Sequence, residues 1–242
     1  YPCQVIKGAK LEEEYWKKNY QPYNKEQIEK LLIKMLKIVP RYCRVMRIMR
    51  EIPPEYLIAG TTRIDLRKDV EKEFREEEYK IKEIRFREIG FALERDKKID
   101  ENLELKITKY SASEGKEYFL EIVNKDDILF GLLRLRIVRD KTRELTQSQY
   151  LSEVLRTPGS YREHRSAIVR ELHIYGQSLK LNEKNSNASQ HKGFGRMLMK
   201  EAEKIAKKEK TKKISVISGI GVREYYQRLG YNLENTYMTK IL

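Results

Sequence analysis

The chain has 242 residues, with 51 Lys and Arg against 37 Asp and Glu, which gives a formal net charge of +14. Its two cysteines argue against a disulfide framework and favour a cytoplasmic location. Its most apolar tract, residues 128–138, is short and carries two arginines, which excludes a membrane span. The basic excess predicts a polyanionic partner, and the plain alternative is a solvated surface with many ion pairs, as in thermophiles.

The first forty residues predict helices. Residues 11–20 form a short helical piece, and Asn24 can cap a second helix, with Gln27 placed for a capping box. Pro40 marks the end of that helix. Its apolar residues recur at helical spacing and predict a buried stripe of Ile28, Leu31, Leu32, Met35, Leu36 and Val39.

An arginine-rich run follows and suggests a surface for phosphates, with basic side chains at Arg41, Arg44, Arg47 and Arg50. If residues 43–52 form a strand, these arginines do not share one face. A third helix begins at Asp65 and ends near Tyr79, and residues 81–90 predict a linking strand. This alternation of helix and strand resembles the last βα units of a barrel.

The middle of the chain predicts β-structure. Residues 118–123 and 128–138 flank a turn at 124–127, which predicts an antiparallel hairpin, and Arg134 and Arg136 alternate with apolar residues in the second strand, which predicts one solvated face. Residues 167–176 predict the next strand, directly before the most informative motif of the chain.

That motif, residues 190–199, reads Gln-His-Lys-Gly-Phe-Gly-Arg-Met-Leu-Met. It sets Gly193 and Gly195 at the start of an amphipathic helix, where free N–H groups and the helix dipole attract anions. Without Cβ atoms at the glycines, an anion can approach the backbone closely, and Lys192 or Arg196 can add charge pairing to a phosphate. The helix carries an apolar stripe of Phe194, Met197, Leu198, Ala202, Ile205 and Ala206.

Two common phosphate loops do not fit this motif. A Walker loop needs Lys and then Ser or Thr after its last glycine, where this chain has Arg196 and Met197. A dinucleotide fingerprint needs a third glycine where Leu198 stands. The remaining pattern, Gln-x-x-Gly-x-Gly, resembles the coenzyme A signature of the GNAT acetyltransferases, and the bland alternative is a helix cap without functional weight.

The last segments strengthen that resemblance. Residues 213–218 predict a strand, residues 222–229 a helix that ends before Gly230, and residues 231–241 a last strand. This order resembles the closing half of the GNAT fold, in which a tyrosine-bearing helix lies beside the acyl thioester. Adjacent residues of a helix point about 100° apart, so Tyr225 or Tyr226 can face the thioester while the other packs inside. The resemblance implies that Tyr226 is an acid, since a tyrosine hydroxyl can protonate a departing thiolate. It also implies that Tyr225 contacts acetyl-CoA.

Several segments are also similar to the family of Elongator catalytic subunits, which join a radical S-adenosylmethionine domain to a C-terminal GNAT domain. The matching segments are residues 1–8, 43–53, 85–90, 169–176, 190–195 and 214–226. The resemblance implies an α/β fold. Residues 1–92 are then the end of the radical-SAM βα barrel and a linker, and residues 93–242 are a GNAT domain with a mixed central sheet flanked by helices.

The radical chemistry of that family needs three cysteines at Cys-x-x-x-Cys-x-x-Cys spacing to hold a 4Fe-4S cluster. This chain has only Cys3 and Cys43. It therefore cannot hold that cluster or support its S-adenosylmethionine chemistry, and we expect it to be a piece of a longer protein. No metal site is predicted.

The resemblance implies that the longer protein attaches the methyl carbon of acetyl-CoA to carbon 5 of the tRNA wobble uridine, leaving a carboxymethyl group after thioester hydrolysis. The chain itself is expected to bind tRNA and acetyl-CoA and to hydrolyse the thioester, with or without other Elongator subunits. A protein lysine N-acetyltransferase and a non-catalytic basic tRNA-docking module are the alternatives. The expected catalytic residues are Tyr225 and Tyr226, and the expected acetyl-CoA contacts are Glu171, Leu172, His173, Ile174, Gln190, Lys192, Gly193, Phe194, Gly195, Arg196 and Tyr225.

Overall fold

The computed structural model describes residues 1–61, 66–76, 79–93, 99–100, 102–139, 165–176 and 193–242. The chain divides into two units, Tyr1–Arg87 and Glu88–Leu242. The identity of these units as domains with a boundary at residue 92 stays a prediction. None of the helices in the described ranges is long and apolar enough to cross a membrane.

The first unit consists of short helices and one two-stranded sheet. Its strands β1 (Val5–Ile6) and β2 (Leu57–Ala59) pair antiparallel, and a 3-10 turn, Pro54–Tyr56, precedes β2. The elements are β1 (Val5–Ile6), α1 (Lys10–Trp16), α2 (Lys25–Ile38), β2 (Leu57–Ala59), α3 (Leu66–Glu76) and α4 (Ile84–Arg87).

Helix α2 confirms the predicted capping box. The Asn24 side chain accepts the N–H of Gln27 at 2.9 Å, and the Gln27 side chain accepts the N–H of Asn24 at 3.0 Å. The predicted buried stripe is partly wrong, because Leu31 and Met35 are 42% and 51% exposed while Ile33 is buried. Helical spacing marks a wide apolar face, but the packing of α3 decides which flank of that face is covered.

Two segments that the sequence analysis treated as strands form no strand in the structure. Residues 81–90 are not a strand, since they contain α4 and the start of α5 (Ile89–Leu93). The Glu83 carboxylate caps α4 by accepting the N–H groups of Arg85 and Phe86 at 3.0 and 3.1 Å, which favours a helix there. Residues 43–52 run without forming a strand.

A buried ion-pair network holds residues 43–46 in place of a sheet. The Arg67 guanidinium lies 2.6 Å from Glu71 and 2.8 Å from Glu83, and it donates to the Val45 carbonyl at 2.6 Å. Glu83 in turn accepts the Val45 N–H at 3.2 Å. The side chain of Glu83 is 1% exposed, so its charge depends on these partners.

We expect Arg67→Met to lower the unfolding free energy of the first unit by about 3–5 kcal/mol, because it leaves a buried carboxylate without its counterion. The control is Lys30→Met, which breaks an exposed pair with Glu26 and is expected to leave stability nearly unchanged, because solvent screens such a pair. Hydrogen exchange at the Val45 and Phe86 amides measures the difference. Equal protection in the two variants would contradict the network.

The second unit carries a seven-stranded mixed sheet flanked by helices, which confirms the predicted α/β class. The elements of this unit after α5 are β3 (Leu103–Ala112), β4 (Gly115–Asn124), β5 (Leu129–Arg139), β6 (Arg165–Ile174), α6 (Phe194–Lys208), β7 (Lys213–Val216), α7 (Arg223–Arg228), β8 (Asn232–Glu234) and β9 (Tyr237–Ile241). The strand order in the sheet is β3-β4-β5-β6-β7-β9-β8, and β6 with β7 is the parallel pair in an otherwise antiparallel sheet.

The predicted hairpin in the middle of the chain is confirmed as β4 and β5. Asn124 shapes its turn, since its side-chain oxygen accepts the N–H groups of Asp126 and Ile128 at 3.1 and 2.9 Å. Strand β3, which the sequence analysis did not predict, pairs along the whole of β4. The predicted last strand at 231–241 is wrong in one respect, because a turn at Asn235, with φ of 55°, divides it into β8 and β9.

Helix α6 covers one face of this sheet and closes its core. Leu198, Ala202, Ile205 and Ala206 are buried as expected, but Met197 is 42% exposed and Met199 is buried instead. Helix α7 ends in a glycine motif, as predicted. Gly230 has a φ of 84°, its N–H bonds to the Gln227 carbonyl, and the N–H of Tyr231 bonds to the Tyr226 carbonyl.

Candidate functional site

The start of helix α6 presents free backbone N–H groups. Its first helical bond runs from the N–H of Met197 to the carbonyl of Gly193 at 3.1 Å, so the N–H groups before Met197 have no acceptor within the helix. Gly193 caps the helix with φ of 73° and ψ of 13°, a conformation that favours glycine. The first turn carries no acidic residue and includes the exposed Arg196. This end of the helix is therefore electropositive and open to an anion.

Gly195 brings three separate segments of the chain together. A Cβ atom built on Gly195 would lie 2.6 Å from the Tyr225 hydroxyl and 3.8 Å from Cγ1 of Ile174. The start of α6, the end of β6 and the helix α7 thus meet at one point. Glycine is needed there because no Cβ can stand 2.6 Å from an oxygen.

Strand β6 parts from β7 next to this point. The parallel pairing covers only Ala167–Val169 against Ile214–Val216, and the Ile217 N–H adds one bond to the Val169 carbonyl at 3.0 Å. Strand β6 continues to Ile174 and stays paired there with β5. Residues 171–174 therefore have no strand partner on their second edge within the described sheet, and their backbone groups are open to a ligand.

A bulge at Arg170 marks the position where the two strands part. Leu135 pairs with Val169 and the adjacent Arg134 pairs with Glu171, which leaves Arg170 as the extra residue of β6. Leu172 and Ile174 pair with Leu133 and Gly131 of β5, on the face that α6 covers. Glu171 and His173 point to the opposite face.

Glu171 and His173 form part of a polar group on that opposite face. The Arg134 guanidinium lies 2.5 Å from Glu171, and His173 Nε2 lies 3.4 Å from the other Glu171 oxygen. The exposed His173 ring stacks on the ring of Tyr175, with centroids 6.1 Å apart and planes 18° apart. Because Arg134 holds Glu171, this carboxylate is an ion-pair partner rather than a free base.

Helix α7 supplies two tyrosines to the same site. Their rings meet edge to face, with centroids 5.1 Å apart. Tyr226 is 6% exposed, and burial raises its pKa to about 12. Burial also raises the pKa of Tyr225, although Arg196 opposes the rise. Both hydroxyls are therefore protonated at neutral pH and can donate a hydrogen bond.

The Tyr225 hydroxyl is buried and has no hydrogen-bond partner within the described part of the chain. Ser218 Oγ, between β7 and α7, and Arg223 Nε, at the first residue of α7, are among the other buried polar atoms without a partner in the described residues. The sequence analysis missed both residues, although Ser218 follows directly on the last bond between β6 and β7. A short polar residue at the second position after β7 is the signal that could have indicated Ser218.

The structure thus brings most of the predicted site residues to one region. The start of α6, the open edge of β6 and the tyrosines of α7 converge around Gly195. Gln190 and Lys192 lie outside the described residues, so their predicted contacts stay predictions. Among the described residues, no group of three or more His, Cys, Asp or Glu side chains could hold a metal ion.

Comparisons with known proteins show what the chain is similar to. Residues 1–79 match the family model described as the Radical_SAM C-terminal domain. The whole chain is 40% identical to Elongator complex protein 3 of Schizosaccharomyces pombe and covers 42% of it. It is 37% identical over its full length to a protein of Methanocaldococcus jannaschii named tRNA uridine(34) acetyltransferase, of which it covers 43%.

The solved structure of the archaeal Methanocaldococcus infernus Elp3 with an N-terminus deletion aligns with the whole chain, with a TM-score of 0.81 and 36% identity. The alignment covers 54% of that chain. The chain is a homologue of Elongator complex protein 3. The resemblance inferred from the motifs is confirmed, and the chain spans less than half the length of these two curated relatives.

We expect Gly195→Ala to cost about 1–3 kcal/mol of stability, because the new methyl group clashes with the Tyr225 hydroxyl. In a Tyr225→Phe background the nearest remaining atom is the ring carbon Cζ at 3.5 Å, an ordinary contact, so the same substitution should be neutral or slightly stabilising. Urea unfolding of the four proteins of this double-mutant cycle measures the coupling. Additive effects would show that the two groups do not touch.

A second prediction concerns alkaline pH. Tyr226 has a pKa of about 12 in the folded chain against an ordinary value of 10.0, so its contribution to stability is complete below pH 10 and is lost as the pH rises to 12. Tyr226 alone loses about 2–3 kcal/mol of unfolding free energy in this way, and other buried tyrosines add losses of their own. Unfolding of Tyr226→Phe should depend less steeply on pH in this window, whereas the exposed control Tyr237→Phe should follow the wild-type curve.

Proposed function

We propose that the second unit binds acetyl-CoA at the start of α6 and along the open edge of β6. We further propose that the longer protein uses it to form 5-carboxymethyluridine at the tRNA wobble position. The observation that carries the proposal is the convergence at Gly195, where the glycine motif, the parted strand and Tyr225 meet. The homologues named for tRNA uridine acetylation support the same assignment.

The residues present fit the coenzyme. The N–H groups of Phe194, Gly195 and Arg196 can hold the pyrophosphate, since they point out of a helix end with no acidic neighbour in its first turn. Arg196 adds a positive side chain beside them. The amide groups of the pantetheine arm can pair with the free edge of residues 171–174, as an added strand would. A coenzyme held in this way directs its thioester toward α7.

At the thioester, the tyrosines act as donors. Bound acetyl-CoA supplies the acetyl group whose methyl carbon is joined to the uridine and whose thioester is then hydrolysed. The Tyr225 hydroxyl has no partner among the described residues and is protonated at neutral pH, so it can donate to the thioester carbonyl. Tyr226 can protonate a departing thiolate, because its raised pKa keeps its proton in place until a stronger base forms.

The accepting nucleoside approaches from the other face of the sheet. The α6 face of β6 is occupied by Leu172 and Ile174 against the core, whereas the opposite face carries Glu171 and the exposed His173. A stacked imidazole and phenol there offer a flat surface to an unpaired base. Arg134 orients Glu171 at this surface.

Radical chemistry is not assigned to this chain. A 4Fe-4S cluster of the expected kind needs three thiolates, and the whole sequence has two cysteines, so the residues present do not fit. S-adenosylmethionine and the cluster are assigned to the longer protein, together with tRNA as substrate and the cytoplasm as the location. The chain described here supplies acetyl-CoA binding and thioester hydrolysis.

The deciding experiment is calorimetric titration of acetyl-CoA and of free coenzyme A into the chain, with and without an unmodified tRNA. We expect micromolar binding of both coenzymes, abolished by Gly195→Glu, which places a carboxylate against the pyrophosphate. The control Gly90→Ala adds a methyl group where nothing lies within 4 Å and should bind normally. A folded wild-type chain that binds neither coenzyme would support the tRNA-docking module instead.

A second measurement distinguishes a tRNA-dependent thioesterase from a protein lysine acetyltransferase. Release of free thiol from acetyl-CoA should rise when tRNA is added, and Tyr225→Phe and Tyr226→Phe should lower that rate without abolishing coenzyme binding. Acetyl transfer to lysine peptides, unaffected by tRNA, would instead identify a protein lysine acetyltransferase.

A further inference from the structure

A dense group of lysines lies at the far end of α6 from the candidate site. Helix α6 has 15 residues, so its two ends are about 22 Å apart. The last turn and the connection to β7 carry four exposed lysines that we call the lysine cluster: Lys207, Lys208, Lys210 and Lys212.

No described carboxylate pairs with any member of the lysine cluster. The acidic groups nearby already have other partners: Glu201 lies 2.9 Å from Lys204, and Glu234 lies 3.1 Å from Lys213. Glu209 lies 2.7 Å from Lys116, and two further cations share that carboxylate, Arg165 at 3.2 Å and Lys109 at 3.9 Å. Among the described residues, this end of α6 therefore carries a local excess of positive charge.

Helix stability explains only part of this arrangement. Lys207 and Lys208 lie in the last turn, where cations favour the helix dipole. Lys210 and Lys212 lie beyond the helix, where that benefit fades.

Lys210 also occupies a position that favours glycine. Its φ is 61°, and the bonds from the Lys210 N–H to the Lys207 carbonyl and from the Thr211 N–H to the Ala206 carbonyl form the usual glycine-type helix end. The chain keeps a charged side chain in a conformation that L-residues adopt at a cost. Lys18, after α1, has a similar φ of 63°, so this conformation is compatible with the cluster but does not by itself require it.

We propose that the lysine cluster is a docking surface for the phosphate backbone of RNA, separate from the acetyl-CoA site. The choice of RNA over another polyanion rests on the proposed function, in which the unit acts on tRNA. A folded RNA can touch both ends of α6, so its backbone is held at the cluster while an unpaired base reaches the site. Such contacts position the RNA and carry no sequence preference.

The test measures the affinity of the whole chain for an unmodified tRNA transcript across a salt series. Replacing all four lysines of the cluster by Gln should weaken binding and reduce the magnitude of the slope of log K against log salt by about 3–4, since each lost phosphate contact accounts for about 0.7–0.9. The control replaces four exposed lysines of the first unit, Lys17, Lys25, Lys30 and Lys34, by Gln. An equal loss in the control, or an unchanged slope in the cluster variant, overturns the proposal.

Two further variants separate charge from folding. The four Lys→Arg substitutions should restore binding, because they keep the charge. Lys210→Gly should raise the unfolding midpoint, since it relieves the left-handed backbone, and yet weaken tRNA binding. Stronger or equal tRNA binding by this more stable variant would contradict the proposal.

The same variants also distinguish failure of the surface from failure of the proposed function. Acetyl-CoA binding of the cluster variant should match that of the wild-type chain, because the site lies at the other end of α6. A cluster variant that loses binding to phosphatidylserine vesicles but keeps tRNA binding would show a lipid surface instead, and would overturn the assignment to RNA.

Discussion

The candidate site of the second unit depends on the short pairing between β6 and β7. The strands run side by side for three residues, and the bulge at Arg170 then turns β6 away while β5 continues to hold it. A longer pairing would use the backbone N–H and C=O groups of residues 171–174 and leave none of them free to bind a ligand. The same bulge shifts the alternation of side chains, so that apolar residues stay against α6 and polar ones face outward. One inserted residue thus produces both the opening and its two chemically different sides.

The first unit is organised by a different kind of force. It has a two-stranded sheet, and its extended segment is held by charge, with Arg67 linking Glu71, Glu83 and the backbone of Val45. Desolvated ions of this kind stabilise little compared with apolar packing, but they tolerate few alternative arrangements. Glu83 also caps α4, so one carboxylate fixes both a loop and a helix start.

Local signals in the sequence predicted the parts of the structure that local physics determines. The capping box of α2, the hairpin of β4 and β5 and the glycine end of α7 each depend on residues within a few positions of one another. Two of the predictions that were wrong depended on distant partners. Residues 81–90 form helices because Glu83 is buried among groups far away in the sequence, and the buried flank of α2 follows from α3. The meeting of Gly195 with Tyr225 could be expected only as a family resemblance, since no periodicity links positions thirty residues apart.

Other features left a signal too weak to use. The turn at Asn235 that divides β8 from β9 rests on one residue that accepts a positive φ, and β3 alternates only between exposed and half-buried positions. Ser218 and Arg223 lie within the matching segment 214–226, but only their buried atoms, which have no partner among the described residues, single them out. Candidate residues of this kind are found from burial and hydrogen bonding rather than from pattern.

The unpartnered hydroxyl of Tyr225 has a consequence for how the fold and the activity trade against each other. A buried hydroxyl without a partner among the described residues costs about 1–3 kcal/mol, and a bound acceptor would remove that cost. Selection for robustness alone would favour phenylalanine at this position, and a laboratory evolution experiment that rewards only heat resistance should drift that way. Under the proposed function, the tyrosine would be retained only while turnover is also under selection, so position 225 would record whether a descendant of this chain keeps that activity.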